Sequence, residues 1–276
     1  MNTKDILNNN NFEFKKKFGQ NFLLDQNVLN NIIKSSVITK DTLVIEIGVG
    51  AGALTKKISQ KAYKVLGYEI DNSLKYPLKE ILKDYDNIDI VFDDFLKRNI
   101  KEDINKYDYK KLMVIANLPY YITTPIITKF IDEKIDVEKI IVMVQSEVAD
   151  RFSAKPNTKS YNSLTVFLNY YFDIKKLFNV SKNVFYPRPN VDSAVVMFTK
   201  KQKTLNVFDE SLFFKLIKDS FKQKRKNLKN NLKNYDLEKL SNILKSINKD
   251  LSVRAESLTI NDFVYISNKL FEDNFS

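Results

Sequence analysis

Asn117-Leu118-Pro119-Tyr120 is followed by Tyr121-Ile122-Thr123-Thr124-Pro125, and these residue types suit work on the exocyclic amine of a nucleobase. Such an amine is planar, with its lone pair conjugated into the ring. The side-chain oxygen of Asn117 and the carbonyl of Leu118 can accept both of its N–H groups, orienting it and favouring the build-up of charge on nitrogen. Pro119 stiffens the backbone that supplies that carbonyl. Tyr120 offers a ring on which a flipped-out base can stack. No strong base is required, because the amine can lose its proton after accepting a group. That matters here, since the chain contains neither His nor Cys.

A second constellation lies earlier, at Val44-Ile45-Glu46-Ile47-Gly48-Val49-Gly50-Ala51-Gly52-Ala53-Leu54-Thr55. An apolar strand runs into a glycine-rich turn, and a helix pattern follows at once. Glycine lets the backbone approach a ligand closely and adopt positive φ, and the helix start adds unpaired N–H groups. Glu69 ends the next apolar run, where a carboxylate can accept both hydroxyls of a ribose. Asp94 follows the third, where a carboxylate can accept from an adenine amino group. The turn reads Glu-x-Gly-x-Gly-x-Gly, not the dinucleotide Gly-x-Gly-x-x-Gly, and it lacks the Gly-Lys-Ser/Thr of a phosphate loop. S-adenosylmethionine carries no phosphate and needs no anion cradle. A carboxylate at Glu46 suits its cationic end, directly or by holding the loop. Together with the Asn117 motif, this set points to S-adenosylmethionine as cofactor.

The absence of His and Cys excludes disulfides, thiolate nucleophiles, imidazole acid/base chemistry and the usual zinc sites. The 276 residues, 43% of them hydrophobic, allow one sizeable core and a smaller unit, and the net charge of +11 points to a polyanion as partner. No apolar run approaches the ~20 residues of a membrane span. Met1 to Phe12 lack a signal-type apolar core, so the cytoplasm is the expected compartment.

To position these groups, the chain offers short apolar runs alternating with helical patterns up to about residue 200. Strands are expected at Leu43–Ile47, Val65–Tyr68, Ile88–Phe92, Leu112–Ala116, Ile140–Val144 and Ala194–Phe198. Most are continuous runs, as in central strands covered on both faces. Asp25 is suited to cap a helix bearing Val28, Leu29, Ile32 and Ile33. The alternation predicts an α/β fold with a parallel sheet. Beyond Thr199–Asn206 three helical segments are expected: one from Asp209, one around Leu237–Ile247, and one opened by a Thr259/Asp262 capping box. The expected domains are therefore residues 1–200, α/β, and residues 201–276, all-α.

On these motifs the chain resembles, over nearly its whole length, the small-subunit (16S-type) ribosomal RNA adenine dimethyltransferases, the KsgA-type enzymes. Lys17-Phe18-Gly19-Gln20-Asn21-Phe22-Leu23-Leu24-Asp25 matches their N-terminal motif, which implies cofactor contacts from Asn21 and the Leu23 backbone. Gly48, Gly50, Glu69, Asp94 and Asn117 fall on cofactor-binding positions. Phe185-Tyr186-Pro187-Arg188-Pro189-Asn190-Val191-Asp192-Ser193-Ala194 resembles their late motif, which implies that Phe185 stacks on the target base opposite Tyr120. Ser220-Phe221-Lys222-Gln223-Lys224-Arg225-Lys226-Asn227-Leu228-Lys229-Asn230-Asn231-Leu232 looks like their basic signature. From Lys215 to Lys233 eight basic residues stand against one acid, Asp219. Such a cluster reads as a basic helix whose Lys222, Lys224, Arg225, Lys226 and Lys229 bind RNA phosphates.

The resemblance implies a Rossmann-like class I methyltransferase domain with a small helical C-terminal domain. It also implies dimethylation of N6 on two adjacent adenosines near the 3′ end of small-subunit RNA, in a partly assembled subunit, by a monomer. Three alternatives share some of these features: the large-subunit (23S) methylases of macrolide resistance, a DNA adenine methyltransferase, and a non-catalytic ribosome-assembly factor. Asp192-Ser193-Ala194-Val195, Leu118 and Ser160-Tyr161-Asn162-Ser163-Leu164 have the small-subunit form. Asn162 and Asn190 depart from it, standing where the family usually carries Gly and Lys.

Overall fold

A computed structural model describes residues 21–23, 25–118, 122–202 and 205–272. Residues 17–20 and Leu24 of the N-terminal motif, and Pro119, Tyr120 and Tyr121 of the amine-binding motif, lie outside the described residues. The chain divides into two compact units, Met1–Ala149 with Lys175–Lys200, and Asp150–Ile174 with Lys201–Ser276.

The first unit is built on the six expected apolar runs, which form β2 (Thr42–Ile47), β3 (Lys64–Glu69), β4 (Ile88–Phe92), β5 (Lys111–Asn117), β6 (Lys139–Gln145) and β9 (Ser193–Lys200). With β7 (Phe172–Val180) they make a seven-stranded sheet in the order β4-β3-β2-β5-β6-β9-β7. β2 through β6 pair in parallel, whereas β9 runs antiparallel to β6. Every residue of β2 is buried, and so are five successive residues in each of β3, β5 and β6. Their continuous apolar runs thus report strands covered on both faces. β4 closes one edge and is only half-buried.

Helices α1 (Gln26–Ser36), α2 (Ala53–Ser59), α3 (Lys75–Ile81), α4 (Ile100–Ile104), α5 (Thr123–Asp132) and α6 (Ser146–Phe152) follow β1 (Phe22–Leu23), β2, β3, β4, β5 and β6 respectively. Asp25 caps α1 as expected, accepting from Val28 N at 2.9 Å. The sheet order reverses between β2 and β5, which opens a crevice at their carboxyl ends. A separate two-stranded ribbon joins β1 to β8 (Phe185–Tyr186), pairing Leu23 with Phe185 and Phe22 with Tyr186.

The two units divide at Lys200–Lys201, and the second also takes in an earlier segment that the sequence pattern places in the first. The segment Asp150–Ile174 belongs to the helical unit and supplies Tyr161, Val166 and Tyr170 to its core. Around them pack α8 (Glu210–Ser220), α9 (Leu228–Asn231), α10 (Leu237–Ser246) and α11 (Ile260–Glu272), through Phe213, Leu216, Leu244, Phe263 and Ile266. The expected caps form. Asp209 accepts from Leu212 N, and Thr259 and Asp262 close a reciprocal capping box. Asn162 in turn caps α7 (Ser163–Tyr171), accepting from Leu164 N and Thr165 N at φ −157. In place of a glycine's conformational freedom, Asn162 contributes a helix cap.

Candidate active site and nucleic-acid interface

The crevice at the sheet's switch point is a cavity of about 340 Å³. Four strand ends supply its lining: Glu46 to Gly50 after β2, Glu69 and Ile70 after β3, Asp93 to Leu96 after β4, and Asn117 with Leu118 after β5. Asn21, Phe22 and Leu23 line it as well. The structure therefore brings Asn21, Leu23, Glu46, Gly48, Gly50, Glu69, Asp94, Asn117 and Leu118 together around one space.

The glycine loop is left-handed at Gly48 (φ 78) and Gly50 (φ 55). A Cβ on Gly50 would also lie 3.2 Å from the Phe22 ring, so loop and β1 need that position bare. Glu69 fixes the loop from below. Its Oε2 accepts from Gly50 N and its Oε1 from Asp71 N, both at 2.8 Å. Burial pushes this carboxyl up, and the two backbone donors pull it back. Each oxygen keeps a second lone pair for a further donor.

Glu46 is 1% exposed, and its Oε2 has no hydrogen-bond partner. Burial pushes its carboxyl up to about 8, and the charge of Glu69 adds to the shift. Thr55 opposes it from nearby, although its Oγ1 makes no hydrogen bond of good geometry. Asp94 caps a short 3-10 turn (Phe95–Lys97), its Oδ1 accepting from Leu96 N at 3.0 Å. Its Oδ2 lies 3.9 Å from Lys97 Nζ.

Asn117 ends β5 and donates from Nδ2 to the Asn21 carbonyl at 3.1 Å. That bond orients the amide so that Oδ1 is the end left to accept. Phe185 does not join this group. It is 5% exposed, packs with Leu23, Val180 and Val195 in the apolar core, and is not part of the cavity wall. Its ring packs in the core and the exposed aromatic beside it is Tyr186; stacking of Phe185 opposite Tyr120, which lies outside the described residues, is an expectation from the resemblance.

Several groups at the cavity were not singled out by the sequence. Phe22, Ile70, Asp93 and Phe95 line it, and only their positions next to strand ends could have marked them. Gly67 supports it from within β3. A Cβ there would sit 2.6 Å from Val49 Cγ2, so the loop crosses this strand at a bare backbone. A glycine inside a strand is the signal for such a close approach.

In the second unit, Lys222, Lys224, Arg225, Lys226 and Lys229 are all exposed. The expected basic helix is corrected: residues 221–227 form successive turns, and α9 spans only Leu228–Asn231. Asn231 organises them. Its Nδ2 donates to the carbonyls of Ser220 (2.7 Å) and Gln223 (3.2 Å), and its Oδ1 accepts from Gln223 N at 3.1 Å. Asn227 caps α9 by accepting from Asn230 N.

The model of the family described as "Ribosomal RNA adenine dimethylase" matches residues 11–271. The "Ribosomal RNA small subunit methyltransferase A" of Oceanobacillus iheyensis is 45% identical, covering 98% of this chain and 95% of that one. The protein of the same name from Bacillus licheniformis is 43% identical over 98% and 96%. Among solved structures, a dimethyladenosine transferase from Plasmodium falciparum superposes with a TM-score of 0.78 at 24% identity, covering 92% of this chain and 98% of that one. The 23S rRNA methyltransferase ErmE gives 0.75 at 22%, covering 91% and 100%. At those identities the two structures speak for the fold alone, a Rossmann-like class I methyltransferase sheet with a helical C-terminal part. The family match runs from the N-terminal motif to the last helix, and with relatives this close along both chains it has one consequence: the chain belongs to the ribosomal RNA adenine dimethylase family.

Proposed function

We propose that this chain transfers methyl groups from S-adenosylmethionine to the N6 amino groups of two adjacent adenosines near the 3′ end of small-subunit ribosomal RNA. The observation that carries this reading is the Asn117 amide, oriented by Asn21 with its oxygen as the acceptor end, in the wall of a cavity that carboxylates also line. An amine N–H needs such an acceptor, and Leu118 supplies the carbonyl for the other one. Tyr120, outside the described residues, is the stacking residue by resemblance.

The residues present suit the cofactor. A cavity of about 340 Å³ is of small-ligand size. The left-handed glycines keep the loop free of side chains where a ligand would pass. Glu69, with a lone pair remaining on each oxygen, can accept ribose hydroxyls, and Asp94 can accept from the adenine amino group. The unpartnered oxygen of Glu46 can accept from a cationic donor, whose charge would draw the raised carboxyl back toward ionisation. When bound, S-adenosylmethionine supplies an electrophilic methyl group on sulfur. Asn117 and Leu118 then hold the amine and exclude water from it, and the amine's proton leaves after transfer.

The relatives are named for the small subunit, which favours that substrate over the large-subunit reading; the fold likeness to ErmE is neutral. The partner is ribosomal RNA within a partly assembled small subunit, met by a monomer in the cytoplasm, and the exposed basic turn is its phosphate-binding surface. No helix among the described residues is long and apolar enough to cross a membrane. The test is incubation of undermethylated small and large subunits with labelled cofactor. Label in small-subunit RNA is expected. Label in large-subunit RNA alone would transfer the assignment to the resistance-type methylases, and no label in either would favour the assembly-factor reading.

A further inference from the structure

The turn that presents Asp94 is held from two sides, and Arg98, Asp103 and Lys129, which hold it, do not line the cavity. On one side Arg98 pairs with the buried Asp103 of α4 through Nε at 3.0 Å and Nη2 at 2.6 Å. The Tyr68 hydroxyl donates to the same carboxylate at 3.0 Å. Burial would raise the Asp103 carboxyl, but these donors outweigh it and hold it below the usual range. On the other side, Lys129 of α5 donates from Nζ to the Leu96 carbonyl at 3.2 Å and pairs with Glu133 one helical turn on. Phe95 fills the space between, 5.0 Å from the Tyr68 ring and 5.6 Å from that of Phe130.

Leu96 is the shared link. Its N–H is donated to Asp94 Oδ1 and its carbonyl accepts from Lys129. A lysine on a helix surface ordinarily extends its ammonium into water. Here the side chain is only 14% exposed, and withdrawing a cation from solvent is unfavourable unless it is paired. Glu133 provides the pairing and the Leu96 carbonyl fixes the direction. We propose that Lys129, together with Glu133, is a positioning residue for the adenine end of the cofactor site. It locks the Asp94 turn against α5, so that the Asp94 carboxylate is set in advance to accept from the 6-amino group. The inference rests on reading the cavity as an S-adenosylmethionine site.

The test is titration calorimetry of the full chain with two probes, S-adenosylhomocysteine and its inosine analogue, which has a carbonyl in place of the 6-amino group. Lys129→Met should weaken the adenosine probe roughly five- to twentyfold, the effect of losing a charge-assisted hydrogen bond, while leaving the already weaker inosine probe within about twofold. Lys129→Arg should recover most of the loss, and Glu133→Gln should show a smaller loss in the same direction. Circular dichroism of each variant confirms that it is folded. Wild-type affinity for the adenosine probe in a folded Lys129→Met protein would overturn the proposal, and so would an equal loss for both probes, which would mean general collapse of the pocket. If the wild-type chain binds neither probe, the functional reading fails, and this inference fails with it.

Discussion

At the end of β5 Asn117 has one end of its amide tied to a carbonyl 96 positions earlier in the chain, and this makes the orientation of the other end a property of the fold. Replacing Asn117 with Ala removes the acceptor that orients the amine, while the main-chain pairing of β5 stays in place. Methyl transfer should fall by roughly 10²–10³ or more, with S-adenosylhomocysteine affinity changed far less. Filter assays of labelled subunits beside calorimetry would show this, and full activity would refute the role. Glu46 makes a second prediction. Its carboxyl is raised from 4.5 to about 8 in the fold, so between those pH values the unfolded chain releases a proton that the folded chain keeps. The unfolded state then binds fewer protons, and stability falls as pH rises from about 4.5, levelling off above 8. Since 8 − 4.5 is 3.5 units, the penalty is on the order of 3–5 kcal/mol. Glu46→Gln should therefore raise the melting midpoint at pH 9 by more than about 5 °C and leave it nearly unchanged at pH 5. A midpoint difference independent of pH would show that Glu46 ionises normally.

At the scale of elements, Asn231 makes the argument for a loop. Its side-chain hydrogen bonds to the main chain of Ser220, Gln223 and Lys226 hold the basic turn together. Asn231→Ala removes no charge, yet it frees a segment whose ordering RNA binding would then have to provide. RNA affinity should drop roughly three- to tenfold, the cost of ordering about one further residue at about 1 kcal/mol, whereas the salt dependence keeps its slope. Fluorescence anisotropy at several salt concentrations separates the two. How far such elements were legible depended on how locally they are specified. β2, β5 and β6 were visible because burial on both faces writes an unbroken apolar run. The Asp25, Asp209 and Thr259 caps were visible because a cap is a contact between neighbours in sequence. β7 was not, because only the end residues Phe172 and Val180 are buried, the rest being half-buried or exposed with lysines among them, and the strand follows α7 without a break. The basic run also misled: Asn227 and Asn231 favour caps and turns over helix interior, and they set the local structure. Phe185 illustrates the limit most clearly. Its type suits stacking, but only the pairing of β8 with β1 determines which way the ring faces, and that pairing joins residues far apart in the chain.

For the whole molecule, a net charge of +11 describes attraction to a polyanion without saying where contact occurs. A surplus spread evenly would raise affinity for any nucleic acid and would be lost gradually with each substitution. A surplus focused on one ordered turn behaves differently. Each phosphate contact releases counterions, so the logarithm of affinity falls with the logarithm of salt by about 0.7–0.9 per contact. Lys222, Lys224, Arg225 and Lys226 are exposed together on the turn that Asn231 holds. Changing these four to Gln should make the salt slope shallower by about 2–4 and raise KM for undermethylated small subunits, with kcat and S-adenosylhomocysteine affinity preserved. Four Lys→Gln changes at Lys56, Lys57, Lys61 and Lys79 remove the same charge and serve as the control. If both variants shift the slope equally, attraction is a property of total charge. If only the first does so, the turn is the docking surface, and the helical unit supplies RNA recognition while the cavity supplies the chemistry.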